Sequence, residues 1–141
     1  MVIKEKVKED LELEYRNSFF QKQKNKIILK AWFQLRKGDK DIIRTVMEAS
    51  KKRRWERQPR ELPNGGSVFK RPPGRFVGPM IDELGLKGFT IGGAQISKKH
   101  SGFIVNINNA TGSDILEIIK HAQSKVKEVF NVDLEIEQRI I

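Results

Sequence analysis

Ser67 follows Gly65 and Gly66 directly in the stretch PNGGSVFKRPPG (63–74), and Val68, Phe69, Lys70 and Arg71 come next. Two glycines permit positive φ and leave no Cβ to crowd a ligand, so this hydroxyl can approach a planar substrate or cofactor closely. The same spacing also suits a loop serine that satisfies turn backbone. GGSVF lacks the second glycine of a G-x-S-x-G nucleophile elbow. GGSVFKRPPG likewise has the wrong spacing for a G-x-x-x-x-G-K-[ST] phosphate loop. A conventional hydrolase and a P-loop nucleotidase are therefore poorly supported.

Three further places carry usable chemistry. Arg16 in YRNS (15–18) follows an aromatic at the end of a strand pattern. It reads either as a surface arginine stacked on its neighbour or as a guanidinium aimed at a carboxylate or a developing oxyanion. In LEIEQRII (134–141), alternation puts Glu135, Glu137 and Arg139 on one face and Leu134, Ile136 and Gln138 on the other. That face is a solvated ion-pair row or a site with one glutamate turned into a cleft. His100 lies between two strand patterns in KKHSG and reads as an exposed loop histidine.

These residues need a scaffold, and 141 residues suffice for one modest core. Hydrophobic residues make up 38% and charged residues 33%, a globular balance. No apolar run reaches the roughly 18 residues of a membrane helix, and the N-terminus lacks the apolar centre of a signal peptide. Those absences predict a cytoplasmic protein. With no cysteine there is neither a disulfide nor thiolate chemistry, and two histidines make a histidine-rich metal site improbable, so no metal is expected. The net charge of +10 suits nucleic acid or another polyanion, but only KKRRWERQPR (51–60) is densely basic, and no nucleic-acid motif accompanies it.

The elements read β-β-α, a loop rich in proline and glycine, then α-β-β-α-β, an α+β arrangement. Strands are expected at 10–20 and 25–35, paired as a hairpin. A helix is expected from near residue 40, failing before Pro59. GPMIDELGLKG (78–88) reads as a short helix with Pro79 in its first turn and Gly85 at its end. FTIGGAQIS (89–97) reads as a strand in which Gly92-Gly93 marks a bulge or a close backbone approach. GFIVNIN (102–108) and VDLEIEQRII (132–141) read as strands. Residues 111–130 form an amphipathic helix with a Thr or Ser cap.

Taken in order, YRNSFF, RQPRELPNGGSVFKRPPG, GLKGFTIGGAQISKKHSGFIVN, NNATGSDIL and LEIEQRII resemble the UDP-N-acetylenolpyruvoylglucosamine reductase family over nearly the whole chain from about Leu11. The resemblance implies a flavoenzyme of peptidoglycan synthesis. Hydride passes from NADPH through FAD to the enolpyruvyl ether of a UDP-sugar, and a proton then completes UDP-N-acetylmuramate. It assigns Ser67 as proton donor, Arg16 and Glu137 as flanks of the developing enolate, and Lys70, Arg71 and His100 as substrate contacts. Glu137 is matched through the family's final E-x-R-I-I. In the family's F-K-N-P form an asparagine follows the lysine, where Arg71 follows it here.

The resemblance further implies that residues 1–60 are the end of an FAD-binding domain and 61–141 a substrate-binding α+β domain. The glycine-rich FAD segments that precede YRNS in the family are missing, so the chain reads as part of something longer, inactive alone. Its partners would be the UDP-sugar and the missing FAD-binding domain. The apolar face of the first hairpin, with Trp32 and Phe33, should drive self-association. The competing readings are a small basic nucleic-acid- or polyanion-binding module and a non-catalytic paralogue.

Overall fold

A computed structural model describes residues 3–23 and 25–140. The chain divides into two compact units, Met1–Asp39 and Lys40–Ile141.

The first unit holds a 3-10 turn, Lys8–Leu11, and a single helical turn, α1 (Phe19–Lys22). Lys22 pairs with Glu12 at 2.5 Å, and Lys6 lies 3.9 Å over the Phe19 ring. The hairpin expected here is absent among the described residues. Glu14 and Asn17 form one isolated bridge, so Tyr15 and Arg16 occupy the tip of a two-residue turn and not the end of a strand. Residues 26–39 have no secondary structure. Their β-branched and aromatic residues suit a strand, but a strand exists only where a neighbour completes its ladder. Trp32 and Phe33 are 69% and 80% exposed.

The second unit begins with α2 (Lys40–Arg57), rich in strong helix formers. It stops two residues before Pro59, as the proline requires. None of its residues is buried, and Ile42, Ile43, Val46 and Met47 are all exposed. Then follow β1 (Asn64–Ser67), α3 (Val77–Glu83), β2 (Thr90–Ile91), β3 (Ala94–Ile96), β4 (Phe103–Asn106) and α4 (Gly112–Phe130). The four strands form one antiparallel sheet in the order β1-β4-β3-β2.

Three expectations are corrected in this unit. Residues 64–67, read as loop, pair with β4. The strand expected at 89–97 is instead a hairpin, with Gly92-Gly93 as its two-residue turn. The close backbone approach at the glycines is real: a Cβ on Gly93 would lie 2.0 Å from the Asn108 carbonyl oxygen. The last strand shrinks to one bridge, Phe69 to Ile136. Lys70 N–H donates to the Glu135 carbonyl and Glu137 N–H to the Val68 carbonyl, both at 2.8 Å. Ile141 lies outside the described residues.

The core forms where α4 covers the sheet and α3 packs against α4. Ile118, Ile119, Ala122 and Val126 recur at helical spacing along α4 and are buried against Ile81, Ala94 and Ile96. Each fully buried isoleucine contributes about 1.5–3 kcal/mol. α3 ends in a Schellman motif: Leu86 N–H donates to Ile81, Gly85 N–H donates to Asp82, and Gly85 takes φ +67°. No helix among the described residues is long and apolar enough to cross a membrane.

α4 starts with a capping box. The Thr111 hydroxyl accepts from Asp114 N–H at 3.1 Å, while the Asp114 carboxylate accepts from Thr111 N–H at 2.9 Å and Gly93 N–H at 3.2 Å. Backbone donation, from Thr111 first and Gly93 second, holds the Asp114 carboxyl below its usual range. A folded-state value below the unfolded one stabilises at neutral pH, and that stabilisation disappears as pH falls through the folded value. Thr111→Ala should cost about 1 kcal/mol of unfolding free energy by urea titration at pH 7. Asp114→Asn should flatten the loss of stability below about pH 4; an unchanged acid limb would disprove the assignment.

Candidate functional site

An open cleft of about 380 Å³ lies where the end of β1, the loop 69–76, α3 and the loop 97–102 meet. Ser67, Arg71 and His100 line it, together with Phe76, Asp82, Lys87, Lys99 and Ser101.

Ser67 owes its place to Asn64. The Asn64 side chain donates to the carbonyls of Pro59 and Leu62 and accepts from Gly66 N–H at 3.0 Å, while Gln138 donates to the Gly66 carbonyl at 3.1 Å. The turn backbone is thus satisfied by other side chains, and the exposed Ser67 hydroxyl makes no hydrogen bond among the described residues. Of the two readings of this serine, the turn-satisfying one has no support.

His100 is held on three sides. The buried Ser97 hydroxyl accepts from the N–H groups of Lys99 and His100. Gly102 N–H donates to His100 Nδ1 at 3.1 Å, so in the neutral ring the proton resides on Nε2. The ring packs edge-on against Phe103 with centroids 4.9 Å apart. Gly102 has no Cβ, and one placed there would come within 3.1 Å of the imidazole.

The cleft is cationic. Among the described residues its lining takes in Arg71, Lys87 and Lys99, with Asp82 as the one carboxylate. Asp82 accepts a short hydrogen bond from the buried Ser101 hydroxyl and pairs with Lys87 at 3.4 Å. Lys99 donates to the Trp55 carbonyl at 3.2 Å and reaches Glu61 at 3.4 Å.

Other expected site residues lie elsewhere. Lys70 points away from the cleft and pairs with Glu135. Glu137 is half-buried on the segment beside Val68 and is not in the cleft lining. Arg16 belongs to the first unit, at φ +55°, a conformation unusual for arginine and of the kind that clusters at functional sites. Sequence reasoning missed Lys87, Lys99, Asp82 and Ser101. The only sequence signal for them was the cations of GLKG and SKKH, and nothing local separates Lys99, in the cleft, from Lys98, which lies along Gly88.

The chain is similar to known proteins over most of its length. Residues 58–141 match the profile described as UDP-N-acetylenolpyruvoylglucosamine reductase, C-terminal domain. The UDP-N-acetylenolpyruvoylglucosamine reductase of Fervidobacterium nodosum is 51% identical over 134 residues, covering 94% of this chain and 43% of that protein. The enzyme of the same name from Limosilactobacillus reuteri is 48% identical over 139 residues, 99% of this chain and 46% of that one. The crystal structure of the reductase from Thermus caldophilus superposes with a TM-score of 0.78 at 33% identity, over 93% of this chain and 46% of that one. The chain thus spans less than half the length of these relatives, and it belongs to the UDP-N-acetylenolpyruvoylglucosamine reductase family.

Proposed function

We propose that this chain supplies the substrate side of the reductase that converts UDP-N-acetylenolpyruvoylglucosamine to UDP-N-acetylmuramate. The observation that carries the reading is the convergence of an uncommitted hydroxyl, Ser67, with Arg71, Lys87, Lys99 and His100 around one cleft. A UDP-sugar brings a diphosphate, a carboxylate and an electrophilic enol ether. The cations match the first two, and the hydroxyl is a proton source for the third.

The family's cofactors are FAD and NADPH. At the glycine pair before Ser67, Gln138 already fills the space over Gly65 while Gly66 is open, which is no closed cradle for a flavin. This reading assigns the binding of FAD and the delivery of hydride to the rest of a full-length reductase. What the chain's own groups do is bind the sugar nucleotide, balance the negative charge that grows on the conjugated carboxylate, and protonate the adjacent carbon. The reading gives Ser67 the proton, assigns Arg16 and Glu137 to the enolate charge, and leaves Lys70 to hold the Ser67 segment through its pairing with Glu135. The exposed segment around Trp32 and Phe33 is the surface through which the chain meets its flavin-binding partner or, without it, a second copy.

Titrating the isotope-labelled chain with UDP-N-acetylenolpyruvoylglucosamine tests this reading. Amide shifts should centre on Ser67, Arg71 and His100, with no comparable response to duplex DNA. Because α2 exposes the basic run 51–57, a DNA response that weakens steeply between about 50 and 200 mM salt would favour the polyanion reading instead. The 141-residue chain alone should show no turnover with NADPH, and turnover near that of a full-length relative would contradict the division of labour proposed here.

A further inference from the structure

The residues after Ser67 contain a device that the substrate reading leaves unexplained. In Arg71-Pro72-Pro73-Gly74-Arg75-Phe76, Arg75 N–H donates to the Pro72 carbonyl at 3.3 Å, and Gly74 takes φ +68°. Proline at the second position and a positive-φ glycine at the third are the demands of a type II turn. A turn over 72–75 brings its two flanking residues face to face. Those residues are Arg71 and Phe76, and the guanidinium carbon lies 3.7 Å from the centre of the Phe76 ring. Phe76 is 58% exposed, and its place as the residue before α3 normally favours a polar cap. An exposed phenylalanine at a cap position, on the rim of a cationic cleft, calls for a partner, and Arg71 is that partner.

Stacking covers the flat face of a guanidinium and leaves its N–H edge free. No carboxylate among the described residues forms a salt bridge with Arg71, so its N–H edge is not spent on any of them. Both residues line the cleft that also holds Lys87 and Lys99. A planar fork backed by a ring is suited to adjacent phosphate groups.

We propose that Phe76 is a positioning residue that holds Arg71 edge-on to the cleft, so that Arg71 grips the diphosphate of a nucleoside diphosphate. This rests on the substrate reading given above. The probes are UDP and UMP, titrated into the full chain and followed by amide shifts. Wild-type protein should bind UDP more tightly than UMP. Phe76→Leu should weaken UDP by about two- to fivefold, the scale of one exposed cation–π contact, and leave UMP unchanged. Phe76→Tyr should restore UDP binding. The Arg71 Nε–H resonance should be displaced by the ring in wild-type protein and return toward its ordinary position in Phe76→Leu.

Equal weakening of UDP and UMP would overturn the proposal, because it would mean general damage to the cleft. UDP shifts in the wild type with unchanged affinity in Phe76→Leu would overturn it alone and leave the substrate site standing. Absence of any UDP response in the wild type would overturn both.

Discussion

Ser67→Ala should lower turnover by about 10²–10⁴-fold, the range expected for removing a positioned general acid, with KM nearly unchanged. The test needs a complete reductase. Residues 1–141 can replace the matching stretch of the Fervidobacterium nodosum relative, which is 51% identical over 134 residues. The reasoning is chemical. An ordinary serine hydroxyl is a weak acid, and it donates only if it is uncommitted and if the resulting oxyanion is stabilised. Ser67 meets the first condition, because Asn64 and Gln138 serve the surrounding backbone in its place. The second is proposed to fall to Arg71, which lines the same cleft and pairs with no carboxylate among the described residues, since a nearby cation favours the charged form. Because Ser67 is not asked to bind the ground state, the loss should fall on kcat. A variant that raised KM with kcat intact would make Ser67 a binding residue and remove it from the proton step. Full activity in Ser67→Ala would place the proton donor elsewhere.

What could be read from the sequence depended on how local the cause was. The α4 helix and its Thr111 cap were legible because the apolar period and the capping box lie within a few residues of each other. The end of α3 was legible for the same reason, with Gly85 at the Schellman position. Residues 25–35 misled because β-branched and aromatic content reports a fit to a sheet and cannot report whether a neighbouring strand exists. Gly92-Gly93 was recognised as a point of close approach, but a two-residue turn and a bulge differ only in what pairs with the flanks. The candidate site was hardest to see. Ser67 and His100 are far apart in the chain, and Lys99 is separated from Lys98 only by which way a loop turns. Collinear motifs named the family and pointed to Ser67 as a candidate, whereas the places of Phe76 and Lys99 beside the cleft became visible only in the fold.

Gly93→Ala should be the most damaging single methyl group in the molecule, costing about 3 kcal/mol or more by urea unfolding. Gly93 is buried at the β2–β3 turn, where its carbonyl accepts from Ile107 N–H at 2.9 Å and its N–H donates to Asp114. The added Cβ would lie 2.0 Å from the Asn108 carbonyl oxygen and 2.5 Å from Ala110 N. Both are backbone atoms, so no rotamer change can relieve the contact. Either the hairpin moves away from the segment 107–110 or that segment moves away from it, and both movements break the bonds that tie Gly93 to Asp114 and Ile107. For a domain with about 5–15 kcal/mol of total stability this is a large share. Gly112→Ala is the control: a Cβ there meets nothing within 4 Å, so the change should stay within about 1 kcal/mol and tend to stabilise. Far-UV circular dichroism in urea separates the two, and equal midpoints would mean that the segment 107–110 gives way freely and that the close packing at Gly93 contributes little to holding the sheet against α4.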